Sequence, residues 1–400
     1  MRLLSIIFVT FASLLLVCGC GPAAPNDTPS TNDAAARKEA APAPKEVVIG
    51  GLFPLTGAIS TFGESSRNGM MLAVAEVNAA GGIKLGDVNV PVRAVYEDTE
   101  GVQEKTVNAA EKLLHLSKVQ GIIGEVASSN SLAAAPLAQT AQVPMISNAS
   151  TNPAVTQVGD FIFRACFLDS FQGQVMAKFA YGDLGKRRAA VLYDNASDYS
   201  KGLSEFFQES WRQLGGEVVA VESFSDEAQT EDFKPQLTNI KAAAPDFLYV
   251  PTYYTGASAI IKQARELGLD VVAGGGDGWD SPKLAELGGP AVNGNYFSNH
   301  FSMDEPRPEV QSFVKTYREK FGADPDALAS LAYDAAKILM TAMRNAASTD
   351  GVIVRNAIQG IIMEGVTGRI SFDQQRNPVK SAVILTLADG KQQLVTRIEP

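Results

Sequence analysis

From Val47 onward, short apolar runs alternate with longer segments in which apolar residues recur every three or four positions. The runs VVIGGLFPL, VPVRAVYED, VQGIIGEV, VPMIS and FIFRACF have the length and the β-branched content of strands. Between and after them, Glu64 to Ala80, Val102 to Lys118 and Ser170 to Leu184 follow a helical period, and the first of these stops at Gly81-Gly82. The pattern starts over after Asp169. Strands in RRAAVLYDN, DFLYVPT and LDVVAGGG alternate with helices at Lys201 to Leu214, Glu231 to Ala243 and Ala257 to Leu267. Such alternation predicts an α/β fold with parallel sheets covered by helices on both faces, and the restart predicts two similar lobes.

The first 46 residues follow another pattern. Met1-Arg2 precedes an apolar run from Leu3 to Val17 that is interrupted by Ser5, Thr10 and Ser13. It reads as a signal peptide, too short and wrongly flanked for a spanning helix. The run ends in LLLVCGCG, similar to a bacterial lipoprotein signal, so residues 1–19 are expected to be removed and Cys20 to carry lipid. A secreted protein cut elsewhere is the alternative. Residues 20–46 are rich in Pro, Ala, Asn and Thr and hold almost nothing that could build a core. As a flexible tether of about 25 residues they would span on the order of 30 Å.

Composition narrows the function. With 46% hydrophobic and 20% charged residues the chain is an ordinary globular protein, long enough for roughly two to three domain-sized units. A net charge of −10 without a Lys/Arg cluster argues against nucleic acid, whose binding needs a basic face. Of the three cysteines, Cys166 alone lies in the folded part, so no intrachain disulfide is expected, and its apolar context FIFRACF reads as packing. His115 and His300 are the two histidines; no H-E-x-x-H, G-x-S-x-G, P-loop or dinucleotide fingerprint occurs. Neither a metal site nor a cofactor is predicted, and nothing assembles an acid-base site.

Candidate chemistry lies instead where apolar strands run into hydroxyl-rich turns. GIIG continues into Glu125-Val126-Ala127-Ser128-Ser129-Asn130-Ser131, and VPMIS into Asn148-Ala149-Ser150-Thr151-Asn152. In open α/β sheets ligands bind outside the carboxyl ends of strands. Adjacent parallel strands would bring these two turns together, with backbone N–H groups and a helix N-terminus suited to a carboxylate. The same runs also read as a helix cap and as a turn before Pro153. Asp277 follows the strand Val271 to Ala273 across a glycine run; it reads as a site carboxylate or as a turn aspartate, and Trp279 as a cleft aromatic or a packed one.

Taken in order, IGEVASSNS, VPMISNASTNPAVT, RACFLDSFQGQ, LYDNASDYSKGL and GGGDGWDS resemble the leucine/isoleucine/valine-binding proteins of bacterial ABC transporters, from Val47 to the C-terminus. The resemblance implies a type I periplasmic binding fold: two Rossmann-like lobes, 47–168 with 300–379 and 169–299 with 380–400, joined by a three-segment hinge. The crossings are expected near Leu168-Asp169, Asn299-Phe301 and Val379-Ser381. It places the ligand's carboxylate at Ser128 and Thr151, and its ammonium at the Ala149 carbonyl and Asp277. Tyr199 and Tyr253 would close over the ligand from the second lobe, and Phe62 would form part of the side-chain wall. Asp277 stands where relatives carry glutamate, Phe62 where tyrosine is frequent, and Asn148 where proline is frequent; these departures bear on which ligand fits.

The implied protein is a non-enzymatic, extracytoplasmic lipoprotein, on the periplasmic side if the cell is Gram-negative. It is expected to act as a monomer that captures an amino acid, branched-chain or otherwise apolar, and delivers it to an ABC transporter permease. A sensor of amides, urea or other small ligands on the same fold is the alternative, and an exported enzyme the remote one. Cys20→Ser is expected to release the protein from membranes or to block its processing. Unchanged membrane retention, with a mature N-terminus elsewhere by mass spectrometry, would contradict the anchor.

Overall fold

The computed structural model describes residues 44–400. The signal segment 1–19, the lipidation site Cys20 and the tether up to residue 43 lie outside the described residues. Among the described residues no helix is long and apolar enough to cross a membrane.

The first sheet begins with β1 (Val47–Phe53); after a hairpin of β2 (Ile83–Leu85) and β3 (Val88–Val90) it takes β4 (Val92–Asp98), β5 (Ile122–Gly124), β6 (Met145–Ser147) and β7 (Ile162–Arg164). Its order is β4-β1-β5-β6-β7, and every pair is parallel. All seven residues of β1 are buried because successive side chains enter two different cores. Val47, Ile49 and Phe53 join one, Val48 and Leu52 the other. A strand covered on both faces therefore reads as an unbroken apolar run rather than as an alternation.

The second sheet contains β8 (Arg188–Asp194), β9 (Glu217–Phe224), β10 (Phe247–Tyr249), β11 (Val272–Gly275) and β12 (Tyr296–Asn299). A small hairpin, β13 (Ile362–Gly365) and β14 (Gly368–Ser371), precedes β15 (Ala382–Ala388) and β16 (Lys391–Ile398). The order is β16-β15-β12-β11-β10-β8-β9. Here the expectation of parallel pairing holds for β8 to β12, whereas β15 runs antiparallel to both β12 and β16. The local cause is the turn Asp389-Gly390, where both residues take positive φ, 50° and 73°. That backbone geometry favours a tight hairpin, and an Asp-Gly pair adopts it readily.

Three passages of chain link the sheets: β7 leads into the helix Asp169–Lys178 and β8, β12 leads back to the helix Pro308–Phe321, and β14 leads to β15. The first sheet's lobe also holds the helices Ser60–Ala79 and Ala327–Ala346, which pack closely because Gly69 has no side chain. A Cβ there would come within 1.9 Å of the Ala329 carbonyl oxygen. This contact sets Phe62 and Leu328, carried near the starts of the two helices, toward the space between the lobes. Two predicted helices end in a wider π-helical turn, Lys112–Leu116 and Phe179–Asp183. Trp279 is fully buried and donates to the Val250 carbonyl at 3.0 Å, so it packs the fold rather than lining the cleft.

Candidate ligand-binding site

The two hydroxyl-rich turns meet, because β5 and β6 are neighbours in register. Many of their polar groups stitch the turns to each other. Ser147 donates to the Glu125 carbonyl at 2.7 Å, Ser150 to the Val126 carbonyl at 3.0 Å, and Ser131 and Ser150 lie 2.7 Å apart. Asn148 donates to Ser66 at 2.9 Å, tying the turn to the helix that carries Phe62. Glu125, a residue that pattern reading passed over, is completely buried beneath them and accepts from Thr99 at 2.7 Å and from the Ala127 N–H at 2.6 Å. Burial pushes its carboxyl up to about 7.

What remains faces a cavity. The helix Ser128–Ala141 has Ala127 at its N-cap position and no side chain capping it. Ser128 is the first helical residue rather than the cap, and it is buried. An uncapped helix start presents unpaired N–H groups and a partial positive charge, the arrangement that attracts a carboxylate.

The second lobe meets this from the ends of β8, β10 and β11. Tyr199 and Tyr253 stack with ring centroids 5.2 Å apart and planes 5° from parallel. Burial raises both phenols well above their ordinary range, so both keep their protons. The Gly278 N–H donates to the Tyr199 oxygen at 3.1 Å. The glycine run before Asp277 allows this approach, since a Cβ at Gly276 would lie 2.4 Å from that phenol oxygen. Tyr253 is fixed by Glu227, a second residue missed from sequence. Its carboxylate accepts the Tyr253 N–H at 2.9 Å, the Gly256 N–H at 2.6 Å and the Thr255 hydroxyl.

Asp277 is 8% exposed. Its N–H donates to Gln172 Oε1 at 2.8 Å, and its Oδ2 lies 2.9 Å from His300 Nε2. Its Oδ1 is buried without a partner.

Of the residues singled out from sequence, Phe62, Ser128, Ala149, Tyr199, Tyr253 and Asp277 line one cavity of ≈ 20 Å³, joined by Val126, Gly278 and Leu328. With the lobes this close, that is room for about one water molecule. Thr151 is not among the lining residues; it is fully buried, with its hydroxyl beside the Asp169 carboxyl. A wider space of ≈ 520 Å³ shares Tyr253 with this cavity and is bordered by Glu100, Asp194, Asp226 and Glu227. The lobes touch across the cleft. Asn152 Nδ2 donates to the Asp198 carbonyl at 2.7 Å, the Asp198 N–H to Ser129 Oγ at 2.9 Å, and the Tyr254 hydroxyl to the Ala58 carbonyl at 2.9 Å. Phe62 meets Tyr253 and Tyr254 edge-on, at 5.8 and 5.0 Å.

Where the chain first passes between the lobes, Asp169 is fully buried, with Oδ2 unpaired and Oδ1 3.3 Å from Gln172 Nε2. Burial, reinforced by the charge of Asp277, pushes its carboxyl from an ordinary 3.8 up to about 8. The fold therefore favours the protonated acid, and this contribution to stability is complete below 3.8 and lost as pH rises toward 8. Asp169→Asn, which resembles the protonated form, is expected to flatten the fall in stability across that window. Urea midpoints measured between pH 4 and pH 8 check this; parallel profiles for the two proteins would contradict it.

Residues 46–392 match the model of the family described as periplasmic binding protein. A leucine-binding protein from Thermotoga maritima MSB8 is 38% identical, with a TM-score of 0.83 over 88% of this chain and 99% of that one. A branched-chain amino acid transporter substrate-binding protein from Streptococcus pneumoniae, in complex with isoleucine, is 32% identical, with a TM-score of 0.81 over 88% and 99%. An ABC transporter solute-binding protein from Rhodopseudomonas palustris BisB5, in complex with 3,4-dihydroxybenzoic acid, is 25% identical, with a TM-score of 0.79 over 89% and 98%. These relatives are binding proteins rather than enzymes. The chain belongs to the periplasmic binding protein family and is a substrate-binding protein of the branched-chain amino acid ABC transporter type.

Proposed function

We propose that the cleft captures an amino acid with an apolar side chain, branched-chain ligands being the leading class, and hands it to the permease of an ABC importer. One observation carries the reading: a buried carboxylate oxygen, Asp277 Oδ1, without a partner, on the same small cavity as an uncapped helix start at Ser128. A zwitterion answers both, its ammonium meeting Asp277 and the Ala149 carbonyl, its carboxylate meeting Ser128 and the helix N–H groups. Thr151, on the turn that carries Ala149, backs the carboxylate end. Phe62, Val126 and Leu328 supply an apolar wall for the side chain. Tyr199 and Tyr253 form the lid from the second lobe. The leucine- and isoleucine-binding relatives support the same class.

The protein works outside the cytoplasm as a monomer held by a lipid on Cys20, with residues 1–19 removed and 20–46 as tether. The lobes are 47–168 with 300–379 and 169–299 with 380–400. An aromatic acid is a second reading, favoured by the dihydroxybenzoate-binding relative. It fits the carboxylate end and leaves a phenol hydroxyl to donate to Asp277. A sensor of amides or urea would place an uncharged donor there.

The reading is tested by calorimetry on two variants. Removing the Asp277 charge leaves a desolvated ammonium unpaired, a loss of about 2–5 kcal/mol, or roughly thirtyfold to several-thousandfold in affinity. Asp277→Ala is thus expected to nearly abolish amino-acid binding. Ser128→Ala should cost less, since the backbone N–H groups remain. Equal, small losses in both would show that the ligand carries no cation at the Asp277 end.

A further inference from the structure

Asp277 is held by a residue that sequence reading set aside. His300 follows β12 on the second passage between the lobes, and its side chain is 1% exposed. Its ring stacks on Phe167 at a centroid distance of 3.6 Å, and its backbone N–H donates to Asn299 Oδ1 at 2.8 Å. Ring and backbone are thus both fixed. Nδ1 is buried without a partner, so the 2.9 Å contact with Asp277 is the ring's one hydrogen bond. Burial lowers the His300 pKa, against the pull of Asp277 and Asp280 and with the help of Lys380. A carboxylate oxygen accepts, so Nε2–H is the donor to Asp277 Oδ2.

We infer that His300 is the positioning residue for the ligand's ammonium: by donating to one oxygen of Asp277 it keeps the other oxygen turned into the cavity. The inference rests on the amino-acid reading of the site. Its physical basis is that a donor fixed on one carboxylate oxygen restrains the rotation of the whole group, and so the direction of the other oxygen. The backbone bond to Gln172 orients the Asp277 main chain but gives nothing to the carboxylate. A shared role also follows from location. Phe167 precedes the first passage and His300 sits on the second, so the ammonium subsite is bolted to two of the three segments about which the lobes move.

The test compares an amino acid with its des-amino analogue, which keeps the carboxylate and side chain but lacks the ammonium. The amino acid is whichever of the twenty L-amino acids raises the melting temperature of the wild type most. Affinities for both ligands are then measured by calorimetry in His300→Phe, which keeps a stacking ring, in His300→Asn, whose amide is too short to reach, and in His300→Gln, whose Nε2 can reach Asp277. His300→Phe and His300→Asn are expected to weaken amino-acid binding about tenfold or more. Binding of the des-amino analogue should change little, and His300→Gln should restore most of the lost affinity. If His300→Phe does not fold, the Asn and Gln pair decides the matter. Equal losses for both ligands, or no loss for the amino acid, or no recovery in His300→Gln, would overturn the inference while leaving the amino-acid reading intact. If no amino acid stabilises the wild type, that reading falls, and the inference with it.

Discussion

A carboxylate can be buried only if something compensates its lost hydration, and Asp277 is compensated on one side alone. His300 satisfies Oδ2; Oδ1 has nothing. The first N–H groups of the Ser128 helix are left in a similar state by the closed lobes. Each such group costs on the order of 1–3 kcal/mol when dry, more when charged. The empty closed form is therefore strained electrostatically, and it is relieved either by opening to water or by a ligand that carries both charges.

The fold makes such a site easy to build and easy to open. Parallel strands deliver turns to one edge of each sheet, so β5, β6, β8, β10 and β11 bring their following residues to a shared cleft. Five of the nine lining residues come from the first lobe and four from the second, and three chain passages hold the lobes together. A rotation about those passages parts Asp277 and the two tyrosines from Ser128 and Ala149 while leaving each sheet intact. Much of the polar content of the turns serves rigidity: Ser131, Ser147, Ser150 and Glu125 bond to one another and to backbone. Ligand groups then meet a preformed surface rather than a loop that must be ordered on binding.

The strands of the first sheet and β8, β10 and β11 of the second were legible because each is a short apolar run bounded by turn residues, whereas the half-exposed β9 and the short β12 were not read; the cavity residues were named because a family pattern stands on those runs. Other features depend on partners distant in sequence. Glu125 reads as one acid among many until Thr99 and the Ala127 N–H are seen to meet it. Glu227 becomes visible when it caps the helix that follows Tyr253, 26 residues on. His300 looks like an isolated histidine, and Leu328 like one apolar position in a long helix, until the lobes close. The antiparallel β15–β16 pair had a local signal in Ala-Asp-Gly-Lys that strand-helix alternation overshadowed.

The central claim is that ligand charge, rather than contact between the lobes, stabilises closure. Small-angle scattering on the protein with and without a saturating amino acid tests it most directly. The account predicts a larger radius of gyration for the empty protein and a fall on ligand addition, as binding shifts an open-closed equilibrium. Superimposable curves, with binding verified by calorimetry on the same sample, would contradict it.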